Sequence, residues 1–401
     1  MDIDATAMYQ RLRHITSATC LTAIILTAPT TIAQSAPLSP QASLGRDLFT
    51  NTGLSASGRQ SCASCHDPKN HYAPSNDLAV ALGGPTLRQR GLRAVPSLTY
   101  KNEIPDFAID LANPDGSASA PGGGHDWDGR MPSIEAQSVM PLLSPYEMAN
   151  INATAFAARV HSQADLFVRF QHVFGKAAVA SPDNLLKATG IALGAYQHED
   201  ISFHPYDSKY DQYVNGKINL TPAEKHGMAL FNDAGKANCS SCHTAGVGPG
   251  LHNGTSVSQF SDFFFRNIGV PTMPQDAFFP YPDEGLCGPL RTDFLPAHNS
   301  SNAHYCGMFM TPSLRNTATR HRFFHNGSVR TLRDVVIFYA TRDTDPSRWY
   351  GKNSHPQNAI TVDREDMPFA TQKLGAPPTL SDKEINDIIS FLKTLTDGYG
   401  K

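Results

Sequence analysis

Cys62-Ala-Ser-Cys65-His66 and Cys239-Ser-Ser-Cys242-His243 set two thiols and an imidazole in the same five-residue frame, twice in one chain. The spacing has a chemical meaning. Two thiols about one helical turn apart can each add to a vinyl group of haem, and the next residue then offers an imidazole to the iron. Half a zinc site or a redox dithiol would use the same residue types. A zinc knuckle needs four ligands, and neither copy has a second Cys or His pair at the customary spacing. A thioredoxin-like pair belongs at a strand-to-helix turn, which the flanking sequence does not suggest. The motifs therefore imply two covalently bound haem c groups, with Cys62, Cys65 and His66 holding one and Cys239, Cys242 and His243 the other.

Such motifs need helices to present them, and the chain repeats one. Ser39 can cap a helix whose first residue is Pro40 and whose apolar positions include Leu44, Leu48 and Phe49. Gly45-Arg-Asp-Leu-Phe49 is echoed by Gly227-Met-Ala-Leu-Phe231. The second copy has the cleaner start, with Thr221, Pro222 and Glu224 forming a capping box. Each copy leads through a short loop to a motif. The expected fold class is all-α: two cytochrome c-like domains, each with one covalently attached haem c, joined and flanked by long irregular loops. The polar stretch Asp207–Asn219, with its Asn215-Gly216 step, marks the boundary. The expected units are a leader over 1–36, a first domain over 37–212 and a second over 213–401. Helices are expected over 133–140, 151–172 and 183–197. The Gly- and Pro-rich 114–124 stretch is expected to be a loop, and 246–310 to be irregular. A last helix starts at the Ser381/Glu384 capping box and carries Ile385, Ile388, Ile389, Leu392 and Leu395 as one apolar stripe.

Arg11, Arg13 and His14 precede an apolar run over Ile15–Ala28, and small residues follow at Thr31, Ala33, Ser35 and Ala36. That order is a cleavable export signal. The run is shorter than the ~20 apolar residues a membrane span needs, so no stable membrane insertion is expected after cleavage, and the periplasm is the expected compartment. Of seven cysteines, Cys20 falls in the leader and four in the motifs. In an exported chain the remaining two, Cys287 and Cys306, are expected to form a disulfide. A formal net charge of −3 gives no reason to expect nucleic acid or an anionic membrane as partner.

Three further stretches carry a family resemblance. They are Trp127-Asp-Gly-Arg130 with Glu135 after it, Thr311-Pro-Ser-Leu-Arg-Asn316, and Phe324-His-Asn-Gly327 leading into Thr331-Leu-Arg-Asp-Val-Val336. With the two motifs and their helices, the chain from about Leu44 to its end resembles the bacterial dihaem cytochrome c peroxidase and MauG-like family.

The resemblance implies a division of labour. His66 would be the proximal ligand of a haem where peroxide reacts, and His243 that of a six-coordinate haem that relays electrons. It assigns the distal ligand of the second haem to the residue before the Phe of the Pro-Ser-Leu-Arg-Asn segment, here Met308. Met310 and Tyr305 stay open as alternatives, since MauG itself uses a tyrosine. Many members block the first haem with a second histidine, but Asn76–Leu92 contains neither His nor Met, and His71 follows His66 too closely to reach the opposite face. The first haem is therefore expected to be open to peroxide. Glu135 matches the acid–base carboxylate, and His125 stands where a Gln is usual, placed to bond peroxide, to assist proton transfer, or instead to ligate the iron, which would undo the open site. Arg130 and Arg315 are candidates to pair with haem propionates or to form structural salt bridges. Tyr100 and Trp127 are candidates for a relay between the haems. Ala94 replaces an Asn that helps to hold calcium in the family, which argues against calcium.

The leading expectation is a periplasmic peroxidase that reduces hydrogen peroxide to water, drawing electrons through the second haem from a small cytochrome c or cupredoxin. The alternatives are a MauG-like enzyme that oxidises Trp or Tyr of a protein substrate, and a non-enzymatic dihaem electron carrier. The family often forms homodimers, and no sequence feature decides that point here.

Overall fold

Ser39 and Thr221 start the two repeated helices as expected. In α1 (Pro40–Thr50) the Ser39 hydroxyl accepts the Ala42 N–H, and Ser39 also binds the Glu199 carboxylate through its backbone and side chain. The first motif follows in the short helix α2 (Cys62–Cys65). The chain continues through α3 (Ile134–Leu143), α4 (Ala153–His161), α5 (Ala164–Phe174), α6 (Pro182–Glu199) and α7 (Lys209–Val214). In α8 (Pro222–Asn232) the Thr221/Glu224 capping box is formed. After the second motif come α9 (Leu332–Thr341), α10 (Ser347–Tyr350) and α11 (Asp382–Lys393), the last opened by the Ser381/Glu384 box. The computed structural model describes residues 37–113, 118–244, 251–252, 255–256, 258–272, 283–294, 303–350 and 379–401. The expected leader over 1–36 and part of the 114–124 loop lie outside the described residues.

Each half is held by one crossing of the helix that precedes its motif over a later helix. Gly45 of α1 lies against α6 so closely that a Cβ would stand 1.9 Å from the Ala192 carbonyl oxygen, and Gly227 of α8 repeats this against the Asp387 carbonyl of α11 at 1.9 Å. This close approach is why both copies of the repeat carry glycine. Around the first crossing pack Leu48, Phe49, Phe156, Leu193 and Phe203, with Tyr72 stacked on Phe203 at 3.9 Å. Around the second pack Phe231, Phe260, Ile388, Phe391 and Leu395. Each such buried apolar side chain contributes about 1.5–3 kcal/mol.

Two features differ from the expectation. Helix 151–172 is broken into α4 and α5 at Ser162–Gln163, where the Gln163 side chain accepts from Asn51 and donates back to the Arg159 carbonyl. The fold is also not purely helical. Among the described residues it contains four two-stranded antiparallel ribbons: β1 (Leu82–Gly83) with β2 (Gln89–Arg90), β3 (Ala108–Leu111) with β4 (Ala120–Gly122), β5 (Leu251–His252) with β6 (Thr255–Ser256), and β7 (Phe265–Arg266) with β8 (Phe309–Met310). The 212/213 boundary falls inside α7. That helix packs with the second half, since Tyr210 N–H donates to the Thr394 carbonyl and Asp211 pairs with Arg315. Cys287 and Cys306 are joined in a disulfide. No helix among the described residues is long and apolar enough to cross a membrane.

Candidate functional site

Both motif histidines are oriented in the same way. His66 Nδ1 lies 3.1 Å from the Tyr72 carbonyl and His243 Nδ1 lies 3.0 Å from the Phe260 carbonyl. A carbonyl only accepts, so each Nδ1 carries the proton and each Nε2 keeps its lone pair for iron. Burial pushes both imidazoles down to about 4, which keeps them neutral as a ligand must be. Burial also pushes Cys62 and Cys239 up to about 12, the reverse of the activated thiolate that a redox dithiol needs. Among the described residues no group of three or more His, Cys, Asp or Glu is placed to hold a metal ion by itself. Neither pair has the character of a redox dithiol or of a metal site complete in itself.

The second motif opens on a cavity of about 500 Å³. Cys239, Cys242 and His243 form one part of its wall, and Phe231, Leu314, Val336, Ile388 and Leu392 supply apolar surface. An apolar chamber beside two thiols and a free imidazole nitrogen fits a covalently held haem.

The expected distal ligand does not face this chamber. Met308 packs among Phe263, Phe265 and Leu286, with Tyr305 against the same cluster, and neither Met308 nor Tyr305 lines the cavity, whereas Met310 does. The cause is local: Met308 is bridged through its carbonyl to Leu286 N–H at 3.1 Å, which turns it toward an apolar cluster where a methionine is well satisfied. The cavity wall holds a residue that sequence reasoning passed over, Tyr339 of α9. It continues a stripe formed by Leu332, Val335 and Val336, all of which line the same chamber. Burial is the main reason its phenol is pushed well above the usual value, and the nearby Cys242 and Cys239 add to the shift. The spacing of that stripe, i, i+3, i+4 and i+7, is the signal that could have found it.

The first site shows a similar exchange. Glu135 stands in the first turn of α3 at its crossing with α6, with Oε1 3.2 Å from His198 Nε2 and its side chain 37% exposed. Burial opposes its ionisation, but Ser133, its own backbone N–H and His198 together hold it below the usual value. It is a partly exposed carboxylate whose charge is also felt at His125. Glu147, in the turn after α3, is different. Burial pushes its carboxyl up to about 7, Asp126 adds to the shift, and its charge reaches both Cys62 and Cys65. The side chain is solvent-accessible, in the turn that follows α3. Its carbonyl accepts from Gly84 N–H at 2.8 Å, and a Cβ on Gly83 would meet the Tyr146 carbonyl at 2.2 Å. The β1–β2 ribbon thus fixes the turn that carries Glu147.

His125 is buried and pushed down to about 4, by burial first and then by Lys101, so it is a neutral imidazole. Trp127 lines the cavity and donates from Nε1 to the Ala94 carbonyl at 2.8 Å. Tyr100 instead donates to Asp397 at 2.7 Å, beneath the Arg315 guanidinium. Arg315 grips Asp211 through two nitrogens at 2.9 and 2.8 Å, and Arg130 pairs with Asp126 at 2.8 Å and Asp128 at 2.9 Å. Both arginines are committed to structural ion pairs. Ala94 offers only backbone, and both its N–H and its carbonyl are already bonded, to the His325 carbonyl and to Trp127.

Known proteins place this arrangement. The profile of the family described as "Di-haem cytochrome c peroxidase" matches residues 39–219. The methylamine utilization protein MauG of Paracoccus denitrificans is 31% identical over 390 residues, covering 94% of this chain and 93% of that protein. The cytochrome c551 peroxidase of Nitrosomonas europaea is 26% identical over 356 residues, covering 88% and 79%. The crystal structure of the diheme peroxidase BthA from Burkholderia thailandensis superposes with a TM-score of 0.78 at 33% identity, covering 91% of this chain and 88% of that one. The chain therefore belongs to the di-haem cytochrome c peroxidase family of oxidoreductases, which includes MauG.

Proposed function

We propose that the protein is an exported dihaem peroxidase in which hydrogen peroxide is reduced to water at the first motif, with two electrons and two protons consumed per molecule. The observation that carries this reading is the pair of motifs with similarly oriented histidines in a chain of this family, and Glu147, whose charge is felt at Cys62 and Cys65, is taken as the acid–base group. Haem attached at His66 would supply the iron on which the O–O bond is broken. His66 would hold that iron, kept a neutral donor by its bond to the Tyr72 carbonyl. Glu147 takes a proton from the arriving peroxide and returns it to the departing oxygen, which leaves as water. The segment Asn76–Leu92 brings no imidazole or thioether to compete with peroxide, so the site works without prior reduction. The second motif serves as the electron port, where His243 and Tyr339 would hold the haem and its iron would carry the electrons. Trp127, on the wall of that chamber, stands as the relay toward the first site. The two haem-bearing halves act as separate domains, and the leader over 1–36 directs the chain to the periplasm.

Tyr339 favours a second reading of where the electrons come from. A phenolate oxygen stabilises the oxidised metal, whereas a methionine sulfur raises the potential. A port of that kind suits removal of electrons from Trp or Tyr side chains of a partner protein, as in a MauG-like enzyme. Steady-state assays decide between the two. Continuous peroxide-dependent oxidation of a reduced small cytochrome c or cupredoxin supports the peroxidase. Peroxide consumption with no donor oxidation, together with oxidised aromatic residues in a co-purified protein, supports the second reading. No reaction with peroxide under either condition contradicts both and leaves an electron carrier.

A further inference from the structure

Arginines withdrawn from solvent in this fold bring a carboxylate with them. Arg93 holds Asp128 at 2.8 Å and Asp283 at 2.7 Å. Arg291 is paired with Asp293 at 3.0 Å, Arg315 with Asp211 at 2.8 Å and Arg342 with Asp343 at 2.9 Å. Arg320 breaks this pattern. Its Nε and Nη2 donate to the carbonyls of Arg322 at 3.3 Å and Val95 at 2.9 Å, and among the described residues it has no acidic partner within ion-pair distance. Lys101 is in the same position. Asp126, the acid whose field reaches it, is already paired with Arg130. Burial alone pushes Arg320 down to about 10 and, with little compensation, Lys101 down to about 8.

The two cations share a location. Both line the chamber that holds Cys239, Cys242 and His243, and the charges of both are felt at His66. They come from distant parts of the chain and meet where the second motif's chamber comes within electrostatic reach of His66. An uncompensated pair of cations facing a common chamber is costly unless an anion enters with the ligand. Haem carries two carboxylates, and one withdrawn from water needs a counter-charge. Arg130 and Arg315, the arginines that the family motifs suggest for this task, are already spent on aspartates.

We propose that Lys101 and Arg320 are the carboxylate-binding pair of the haem sites, receiving haem propionates in the space between the two motifs. Arg320 offers the guanidinium nitrogen left free by Val95 and Arg322, and Lys101 acts as a point charge. The proposal rests on the dihaem reading. It goes beyond that reading by assigning the counter-charges, and with them one control over haem potential. A cation beside a propionate keeps that carboxylate ionised and favours the reduced haem, which carries one positive charge fewer.

The test uses the holoprotein and the variants Arg320→Met, Arg320→Lys and Lys101→Met, each checked for two haems per chain and for native circular dichroism. Redox potentials of both haems are then followed against pH. The methionine variants are expected to lower at least one haem potential and to move the onset of its pH dependence upward, because the propionate now protonates more easily. Arg320→Lys is expected to retain most of the wild-type behaviour. A shift confined to one redox couple identifies the haem whose carboxylate is bound, and a shift in both means the pair is shared. If Arg320→Met fails to fold or to load haem, Lys101→Met and Arg320→Lys carry the comparison. Folded, fully loaded variants with unchanged potentials and pH profiles overturn the proposal. A wild-type chain without covalent haem overturns the dihaem reading itself.

Discussion

Tyr339 on α9 and His243 at the end of the second motif line one chamber, although they lie far apart in the sequence. Their convergence, and not the motif alone, makes the second site a candidate six-coordinate centre. It also shifts attention from Met308, which the fold buries among Phe263, Phe265 and Leu286.

Exchanging Tyr339 should therefore change the second haem. Tyr339→Met is expected to replace an oxygen ligand by sulfur, raise that haem's potential and alter its low-spin EPR g-values. Met308→Leu, a nearly volume-conserving change in an apolar cluster, should leave the spectrum unchanged and cost less than about 1.5 kcal/mol of stability. A spectrum that changes in Met308→Leu and not in Tyr339→Met would reverse the assignment.

Glu147→Gln should slow the reaction with peroxide by about 10²–10⁴-fold, the usual contribution of one positioned acid–base group. Glu135→Gln should change it by no more than a few fold, since that carboxylate faces His198 at the surface. Stopped-flow mixing with peroxide measures both.

The raised pKa of Glu147 fixes the sign of a pH effect. The carboxylate is the base that takes the first proton, so the peroxide rate should climb as pH rises through about 7 and level off above it. The stability effect runs the other way. The folded chain binds this proton more tightly than the unfolded chain, whose Glu titrates near its ordinary 4.5. Stability contributed by the protonated side chain is complete below that value and is lost as pH rises through about 7. Glu147→Gln should flatten both profiles, and a rate profile unchanged by the substitution would exclude Glu147 as the titrating group.

Arg315→Met should be among the most destabilising single changes in the chain. The guanidinium is fully buried and holds Asp211 at 2.8 Å, so its removal strands a buried carboxylate at a cost of about 3–5 kcal/mol. Gly45→Ala and Gly227→Ala force a Cβ onto a carbonyl oxygen of the crossing helix and should each cost at least about 1–3 kcal/mol. Urea denaturation of the holoprotein reads all three.

The parts of this molecule that were legible in the sequence are those with local causes. The attachment motifs are five residues long, the capping residues act within one helical turn, and the paired glycines sit in a repeat visible by eye. The distal side chains were not legible, because tertiary contacts choose them. Glu135 and Glu147 flank the same helix, and only the packing of the β1–β2 ribbon on the Tyr146–Glu147 turn sets the second apart. Met308 and Tyr339 pose the same problem. A methionine just before a strand and a tyrosine on an amphipathic helix both look like core, until the fold shows which of them borders the chamber.

The proposed peroxidase requires a first haem that is open to peroxide without prior reduction. Electronic and EPR spectra of the fully oxidised protein, before and after one equivalent of peroxide, test it most directly. The expected result is a high-spin ferric signal beside a low-spin one, with the high-spin signal lost on adding peroxide in the absence of any reductant. Two low-spin signals that ignore peroxide until one electron has been supplied would contradict it.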